Sequence, residues 1–180
     1  MLTRVQAHRL SFLIPVVSFL LSGCGYSTRS LLPGHIKTIQ VAPFKNKILY
    51  TTETTRNTYF PLLEVKIRDA VVDRFLFDGN LKIEDTDAAD IVMKGELIGY
   101  QRDVLRYTDD NDVQEYRINI SVALELWDSA RGEILWKETN FVGETTYFVI
   151  GPSAKSENEA VEDAVTDLAQ RIVSRTVEDW

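Results

Sequence analysis

The segment from Glu115 to Trp127 alternates apolar and polar residues, and this alternation constrains the fold more than any other feature of the sequence. Successive side chains of a strand point to opposite faces of a sheet, so the pattern predicts a long strand with one buried face and one solvated face. The apolar face comprises Tyr116, Ile118, Ile120, Val122, Leu124 and Leu126, and the polar face comprises Arg117, Asn119, Ser121 and Glu125. A strand of this kind is typical of an antiparallel sheet that is covered on one side only.

Two further long strands are predicted on either side of it in the sequence, from Asp90 to Tyr100 and from Glu133 to about Tyr147. The short polar segment Asp128–Gly132 is a tight connection, so we expect the last two long strands to form a hairpin. Brief apolar alternations predict two shorter strands, at Ile36–Ala42 and at Leu81–Glu84.

Two other segments have the spacing of amphipathic helices. From about Pro61 to Phe77 a broad apolar arc predicts a helix that ends at Asp78-Gly79-Asn80, because glycine suits the left-handed residue that follows many helices. A second helix is predicted to start at the capping box Ser156–Glu159, whose two side chains satisfy free backbone N–H groups. Its apolar positions are Val161, Ala164, Val165, Leu168, Ile172 and Val173.

The order of these elements, β-α-β-β-β-β-α, predicts an α+β fold. We expect two helices on one face of a mixed, mostly antiparallel sheet of four to five strands. Residues 36–180 are long enough for one core and leave little for a second, so they are predicted to form a single domain. The Thr- and Tyr-rich segment 44–60 has no helical stripe and is interpreted as an extended loop or an irregular edge segment.

The N-terminus has the order of a secretory signal peptide, with Arg4 and Arg9 ahead of an apolar run over residues 10–21. A helix of these twelve residues is about 18 Å long, which is too short to cross a hydrocarbon core of roughly 30 Å. The run is therefore interpreted as an export signal and not as a permanent anchor.

The signal is followed by Leu21-Ser22-Gly23-Cys24, which resembles the lipobox of bacterial lipoproteins. The resemblance implies removal of residues 1–23, lipid on Cys24 and a short tether over 24–35, and Gly25, where inner-membrane lipoproteins often have Asp, favours the outer membrane. The alternative is an ordinary signal peptide beside an unmodified thiol. Because Cys24 is the only cysteine, the exported domain has no internal disulfide and depends on its core.

Charge and reactive groups exclude several classes of function. Without residues 1–23 the chain has 18 Lys and Arg against 27 Asp and Glu, a net charge of about −9, which is unsuited to nucleic acid. His35 is then the only histidine, and no Gly-x-Ser-x-Gly nucleophile motif is present. We therefore expect no enzymatic activity, no cofactor and no metal site.

Two groups of residues allow a functional and a structural interpretation. The acidic segment 109–112 resembles a calcium loop only in its carboxylates, because it lacks the glycine and distal glutamate of an EF-hand, so a solvated hairpin tip is the competing interpretation. Tyr116, Trp127 and Trp136 are compatible with a ligand groove, but aromatic residues at alternate strand positions usually pack on the sheet.

Short motifs spread over the mature chain resemble the lipopolysaccharide-assembly lipoproteins known as LptE. In order they are Cys24-Gly25-Tyr26, then Leu32-Pro33 with Ile36, Ile39 and Val41, then Phe44 with Asn46, Ala89-Asp90 leading to Gly95 and Tyr100, Glu115-Tyr116-Arg117, and the hairpin from Asp128 to Trp136. The resemblance implies an outer-membrane lipoprotein that faces the periplasm and acts as plug and assembly partner of the β-barrel LptD. It also implies assistance to lipopolysaccharide delivery at the cell surface.

The topology yields candidate contacts for lipopolysaccharide. In an up-down-up meander the predicted loop 101–114 and the segment 148–155 lie at the same end of the sheet, where Arg106 and Lys155 can meet. By position the two residues match basic residues with which the family contacts lipopolysaccharide, and their charges would suit lipid A phosphates. Arg102 is a third candidate. The alternative is that all three are solvated charges among acidic neighbours.

A different functional class is also open. A lipoprotein that activates a cell-wall synthase, or another periplasmic interaction module such as a small-ligand carrier, would present the same hydrophilic sheet face. An activator that reaches across the periplasm needs a long linker, whereas about eight residues separate Cys24 from Pro33 here. The short tether favours a module held close to the membrane.

Overall fold

The computed structural model describes residues 32–50, 58–86 and 88–178. The predicted signal peptide, Cys24 and most of the tether lie outside these residues. Within them, the strands are β1 Thr38–Val41, β2 Lys45–Asn46, β3 Lys82–Ile83, β4 Ile91–Tyr107, β5 Val113–Asp128 and β6 Glu133–Phe148. The helices are α1 Leu63–Asp78 and α2 Glu157–Val177.

The strands form one mixed sheet of six strands in the order β3-β1-β4-β5-β6, with β2 also paired to β4. Pairing is parallel between β1 and β3, between β1 and β4 and between β2 and β4, and it is antiparallel along β4, β5 and β6. The predicted α+β fold is confirmed, and the sheet is more mixed and has one strand more than expected. The extra strand β2 comes from the irregular segment 44–60, whose residues 51–57 lie outside the described part.

Helix α1 follows the predicted pattern closely. Its four buried residues, Leu63, Ile67, Val71 and Phe75, are spaced four apart and form one stripe against the sheet. Gly79 ends the helix in the left-handed conformation, with φ of 74°, and its N–H donates to the Phe75 carbonyl, as expected from the sequence.

Helix α2 begins at the predicted capping box: the Glu159 N–H donates to the Ser156 side chain, and the Glu159 carboxylate accepts from the Ser156 N–H. The Ser156 bonds lower the pKa of Glu159. The helix lies directly on β6 at Gly143, where a Cβ atom would be 2.5 Å from Cβ of Leu168 and 2.9 Å from the Ala164 carbonyl oxygen. Only a glycine lets the two backbones approach so closely.

Both helices cover the same face of the sheet. On β5 the residues from Ile118 to Leu126 at even positions are buried beneath them, whereas Arg117, Asn119 and Ser121 lie on the open face. The alternation predicted for this strand is confirmed, and Tyr116 is partly buried at its edge.

The long strands extend beyond the helices that cover them. At about 3.4 Å per residue the 16 residues of β5 span roughly 54 Å, whereas 21 helical residues at 1.5 Å give α2 about 32 Å. The excess projects as a ribbon made of residues 102–107 of β4 and 113–117 of β5, joined by a turn at Thr108–Asp112.

The expectation of a loop over 101–114 was therefore wrong. Residues of β4 beyond Tyr100 are mostly exposed, because the helices do not extend that far. A strand that is solvated on both faces has no apolar alternation, so its sequence does not show the usual sign of a strand.

The domain thus has two distinct ends. At the entry end the chain arrives through Leu32–Lys37, next to the start of β4 and the β5–β6 turn Ser129–Gly132. At the ribbon end lie the ribbon, the segment 149–155 and the first turns of both helices.

Candidate functional site

Arg106 lies on the ribbon, opposite Glu115 of β5, which in turn lies opposite Phe148 of β6. Its guanidinium is 3.5 Å from the Glu115 carboxylate and lies over the Phe148 ring, 5.8 Å from the centroid. The Glu115 side chain is nearly buried, while that of Arg106 is 60% exposed. Glu115 and Phe148 therefore hold the Arg106 side chain at the surface with most of its donors turned to solvent.

Lys155 lies next to the same aromatic residue. Its backbone N–H donates to the Phe148 carbonyl at 2.8 Å, and its ammonium is 2.6 Å from the Asp163 carboxylate. The bond to Asp163 raises the pKa of Lys155. Arg106 thus contacts Phe148 through its side chain and Lys155 through its backbone, and each side chain is paired with a carboxylate of its own.

Arg102 lies on the other face of the sheet. It is opposite Ile118, a buried residue beneath the helices, and its guanidinium pairs with the Glu157 carboxylate at the start of α2. Burial opposes its charged form, but Glu157 outweighs that effect and raises the pKa of Arg102. Arg106 and Lys155 therefore both contact Phe148, whereas Arg102 pairs with Glu157 at the start of α2.

Arg102 belongs to a cluster of tyrosines that the sequence did not indicate. Tyr100 donates to the other Glu157 oxygen at 2.6 Å, and burial together with this bond raises the pKa of Tyr100. Arg102 lies 4.8 Å from the centroid of the Tyr116 ring, which stacks on Tyr147 at 5.7 Å. This cluster ties the base of the ribbon to the N-terminus of α2.

The acidic tip of the ribbon is a hydrogen-bonded turn. The Thr108 N–H donates to the Asp112 carbonyl at 2.8 Å, and Asn111 takes a left-handed conformation with φ of 67°. Among the residues that the structure describes, no group of three or more His, Cys, Asp or Glu side chains is arranged to hold a metal ion.

The three aromatic residues considered for a groove do not line one surface. Trp136 lies opposite Leu126 on the helix side, and Trp127 lies opposite Ile134 on the open face, with Lys94 Nζ 4.5 Å from its ring. Tyr116 is ten residues along β5 from Leu126, at the ribbon end. Their separation favours packing on the sheet over a shared ligand groove.

Exposed apolar side chains concentrate at the ribbon end. Nine of the twelve large apolar residues that are exposed in the described part lie there: Leu49, Tyr50, Tyr59, Leu62, Val65, Val104, Leu105, Tyr107 and Ile150. They lie at the same end of the domain as Arg106 and Lys155. A surface that combines apolar patches and fixed cations suits an anionic amphiphile or a protein partner.

At the entry end, by contrast, two carboxylates stabilise the structure by accepting hydrogen bonds. Asp128 is fully buried and accepts from His35 Nε2 at 3.0 Å and from the Ala130 and Arg131 N–H groups of the turn. The His35 bond comes first among the contacts that lower the pKa of Asp128. Asp90 likewise accepts from the backbone of Lys37 at 2.8 Å. His35 therefore helps to fix the incoming chain.

Comparison with known proteins identifies the family. A model of the lipopolysaccharide-assembly family LptE matches residues 36–176, which cover almost all of the described domain. The chain belongs to the LptE family. The resemblance drawn from the sequence motifs is confirmed. No curated protein matches the chain in sequence, and no helix of the described residues has the length and apolar character needed to cross a bilayer.

Solved structures share the fold of this LptE-family chain at low identity. Protein XCC0632 from Xanthomonas campestris is 15% identical, with a TM-score of 0.51 over 81% of this chain and 88% of that one. Lipoprotein B from Nitrosomonas europaea is 12% identical, with a TM-score of 0.50 over 86% and 92%.

Proposed function

We propose that this LptE-family chain is an outer-membrane lipoprotein, anchored through Cys24, that acts as plug and assembly partner of an LptD-like β-barrel. The family match over residues 36–176 carries the proposal. In this role the chain assists the transport of lipopolysaccharide and its insertion at the cell surface. The ribbon end is the surface proposed to contact the barrel and the lipopolysaccharide.

The geometry of the ribbon end supports contact with lipopolysaccharide. Arg106 and Lys155 both contact Phe148, and their side chains are 60% and 51% exposed, so their remaining donors are free to face phosphate oxygens. Their carboxylate partners, Glu115 and Asp163, reduce the net charge of the site, but a bidentate phosphate competes well for a guanidinium at the surface. Arg102 is proposed to position the ribbon, because Glu157 occupies its guanidinium.

The open sheet face supports a plug role. Its residues on β5, Arg117, Asn119, Ser121 and Glu125, are polar, as the water-filled interior of an outer-membrane barrel requires. The long strands and the overhanging ribbon would lie along such a lumen. A lipidated Cys24 would keep the domain at the membrane, since several acyl chains on one residue bind far more firmly than one.

We also propose that the chain is not an enzyme. The Nε2 atom of His35 is engaged by Asp128, and the same carboxylate organises the β5–β6 turn. This arrangement gives the histidine a structural role. Replacing His35 with Gln should leave complementation of a deletion strain intact, and loss of complementation by a stably folded variant would contradict the proposal.

Affinity purification tests the partner. The tagged full-length chain is purified from detergent-solubilised outer membranes, and proteins that co-purify in stoichiometric amount are identified. We expect a large β-barrel. Recovery of a cell-wall synthase in its place would overturn the plug assignment and support the activator class.

A matched pair of double variants tests the lipopolysaccharide site. Arg106→Ala with Lys155→Ala should weaken binding of purified lipopolysaccharide in a salt-dependent manner. Arg171→Ala with Lys137→Ala is the control, because these side chains are 53% and 51% exposed and are also paired with carboxylates, but they lie in the second half of α2 and near the start of β6, away from the ribbon end. Equal binding by the two variants would refute the site.

A further inference from the structure

A hollow of about 580 Å³ lies where the chain passes from β1 to β2 along the edge of β4. Both short strands pair with β4, but the three residues 42–44 connect them opposite only two residues of β4, Lys94 and Gly95. The extra residue makes the connection bulge from the sheet edge, and Pro43 within it has no N–H to donate to β4. The hollow is bounded by this connection on one side and by β4, β5 and β6 on the other.

Small and apolar residues keep the hollow open. Ala123 lines it from β5 and has the smallest side chain on the open face of that strand. The Phe44 ring occupies the place of a side chain at Gly95, where a Cβ atom would be 2.5 Å from the ring. Phe44 is therefore packed into the sheet, and Ala42 and Pro43 supply the apolar part of the wall.

Charged residues from four strands also line the hollow. They are Lys45 of β2, Lys94 and Glu96 of β4, Glu125 of β5 and Lys137 of β6. The Lys137 ammonium pairs with the Glu125 carboxylate and lowers its pKa. Within the ranges that the structure describes, Lys45, Lys94 and Glu96 take part in no ion pair. The hollow therefore offers two ammonium groups and one carboxylate that are not neutralised by a partner.

This combination suits a small sugar that carries a phosphate. The volume falls within the range of roughly 300–1,000 Å³ that is usual for small-molecule sites. Lys45 and Lys94 can donate to phosphate oxygens, and the Glu96 carboxylate can accept from sugar hydroxyls. The apolar part of the wall can contact the C–H groups of the sugar ring.

Other classes of ligand fit the hollow less well. An acyl chain needs exposed apolar surface, and none of the lining residues is among the large apolar residues exposed in the described part of the chain. A nucleobase needs an aromatic face on which to stack, but Phe44 is only 6% exposed. A lone inorganic phosphate would be repelled by Glu96 and would gain nothing from the apolar wall.

We propose that the hollow lined by Ala123, Lys45, Lys94 and Glu96 is a binding site for a phosphorylated sugar. Ten residues of β4 separate Glu96 from Arg106, a distance of roughly 33 Å, so this site is distinct from the one at the ribbon end. The sugar phosphate is either free or part of the saccharide of a glycolipid. The site does not require the proposed barrel partner, and it is compatible with the plug role because a face turned to a water-filled lumen stays accessible.

Nuclear magnetic resonance of alanine methyl groups tests the site. The full lipidated chain, with ¹³C in its alanine methyl groups, is held in detergent micelles and titrated with glucose 6-phosphate, glucose or inorganic phosphate. Glucose 6-phosphate should shift the Ala42 signal saturably and leave that of Ala154, near the ribbon end, unshifted. We expect glucose and inorganic phosphate each to bind at least tenfold more weakly.

A matched pair of variants tests the position of the ligand. Ala123→Leu fills the hollow and should abolish the shift at Ala42. Ser121→Leu is the control, because Ser121 is partly exposed on the same face of β5 but does not line the hollow, and it should keep the shift. Both variants should unfold at the temperature of the unaltered chain, since both positions are partly exposed.

Lipopolysaccharide freed of its acyl chains distinguishes the two sources of the sugar. Tighter binding than glucose 6-phosphate at Ala42 would assign the site to a glycolipid saccharide, and weaker or equal binding would assign it to a free sugar phosphate. The proposal is overturned by the absence of a saturable shift, by equal binding of inorganic phosphate, or by binding that survives Ala123→Leu. None of these results affects co-purification of a barrel, so the proposed function is tested separately.

Discussion

The two ends of the domain are stabilised in different ways. At the entry end, Asp90 and Asp128 accept hydrogen bonds from the backbone of the incoming chain and of the β5–β6 turn. At the ribbon end, Arg102 and Glu157 join side chain to side chain, and the strands beyond them are uncovered. Bonds to the backbone fix the course of a chain, whereas paired surface side chains leave a ribbon free to adapt to a partner.

The two ends also differ in how many large apolar side chains they expose. Nine exposed large apolar residues of the described part lie at the ribbon end and three, Leu76, Phe77 and Ile134, lie at the entry end. The difference supports the ribbon end as the binding surface that we propose. The body between the two ends supplies the stability that both require.

The largest effect is expected from a change in that body. Gly143→Val would force a side chain against Leu168 and the backbone of α2, and we expect a loss of about 3 kcal/mol in the free energy of unfolding. Urea denaturation measures it. Gly34→Val is the control, because position 34 has open space around it; a similar loss in both variants would contradict the packing argument.

A smaller effect is expected at the entry end. Asp128→Ala removes the acceptor for two turn N–H groups and for His35, so we expect about 2 kcal/mol of destabilisation. Asp110→Ala at the exposed ribbon tip should change the urea midpoint little. Equal urea midpoints for the two variants would show that the entry end is stabilised no more by its carboxylate than the ribbon tip is.

Acid should weaken the entry end in particular. The Lys37 N–H and the other bonds lower the pKa of Asp90 below its ordinary 3.8, so its stabilising contribution is present above that pH and is lost as the pH falls through the lowered pKa. Asp90→Asn should therefore cost about 1 kcal/mol at neutral pH and progressively less in acid. A difference that stays constant from pH 7 to pH 2 would contradict this account.

The tyrosine cluster should have a local effect. Arg102→Ala removes a partly exposed ion pair and should cost less than about 1 kcal/mol globally. Amide hydrogen exchange should nevertheless become faster in residues 102–107, where the ribbon loses its bond to α2, and stay unchanged in residues 91–97. Uniform acceleration along β4 would show that the cluster stabilises the whole sheet.

The smallest effect on stability is expected where the functional effect is greatest. Arg106→Ala with Lys155→Ala should change the thermal unfolding midpoint little, because both side chains are exposed. Thermal unfolding measures it, alongside the binding assay with lipopolysaccharide. A large loss of stability would make these residues structural.

Much of the fold could be predicted from the sequence because the burial pattern is local. The alternation of β5, the stripe of α1 and the capping box of α2 each arise from neighbouring residues and predicted their elements closely. The extension of β4 to Tyr107 could not be predicted, because a strand with both faces in water has no apolar alternation. The two-residue strands β2 and β3 are likewise too short for a periodic signal to define their limits.

The candidate site was predictable only in part. The meander places Arg106 and Lys155 at one end of the sheet, and the structure brings both to Phe148. The bond of Tyr100 and Arg102 to Glu157 joins residues more than fifty positions apart, and spacing in the sequence carries no sign of it. Arg102 was predicted as a third phosphate contact and pairs with the start of α2 in the structure, so its contact with phosphate stays a prediction.

Site-specific photo-cross-linking in cells tests the division between the two ends most directly. A photoreactive amino acid is placed at Tyr107 on the ribbon or at Phe77 at the entry end, both of which are exposed. We expect position 107 to cross-link to a large β-barrel protein and position 77 not to. Efficient cross-linking of the barrel from position 77, with none from position 107, would contradict this division between the ends.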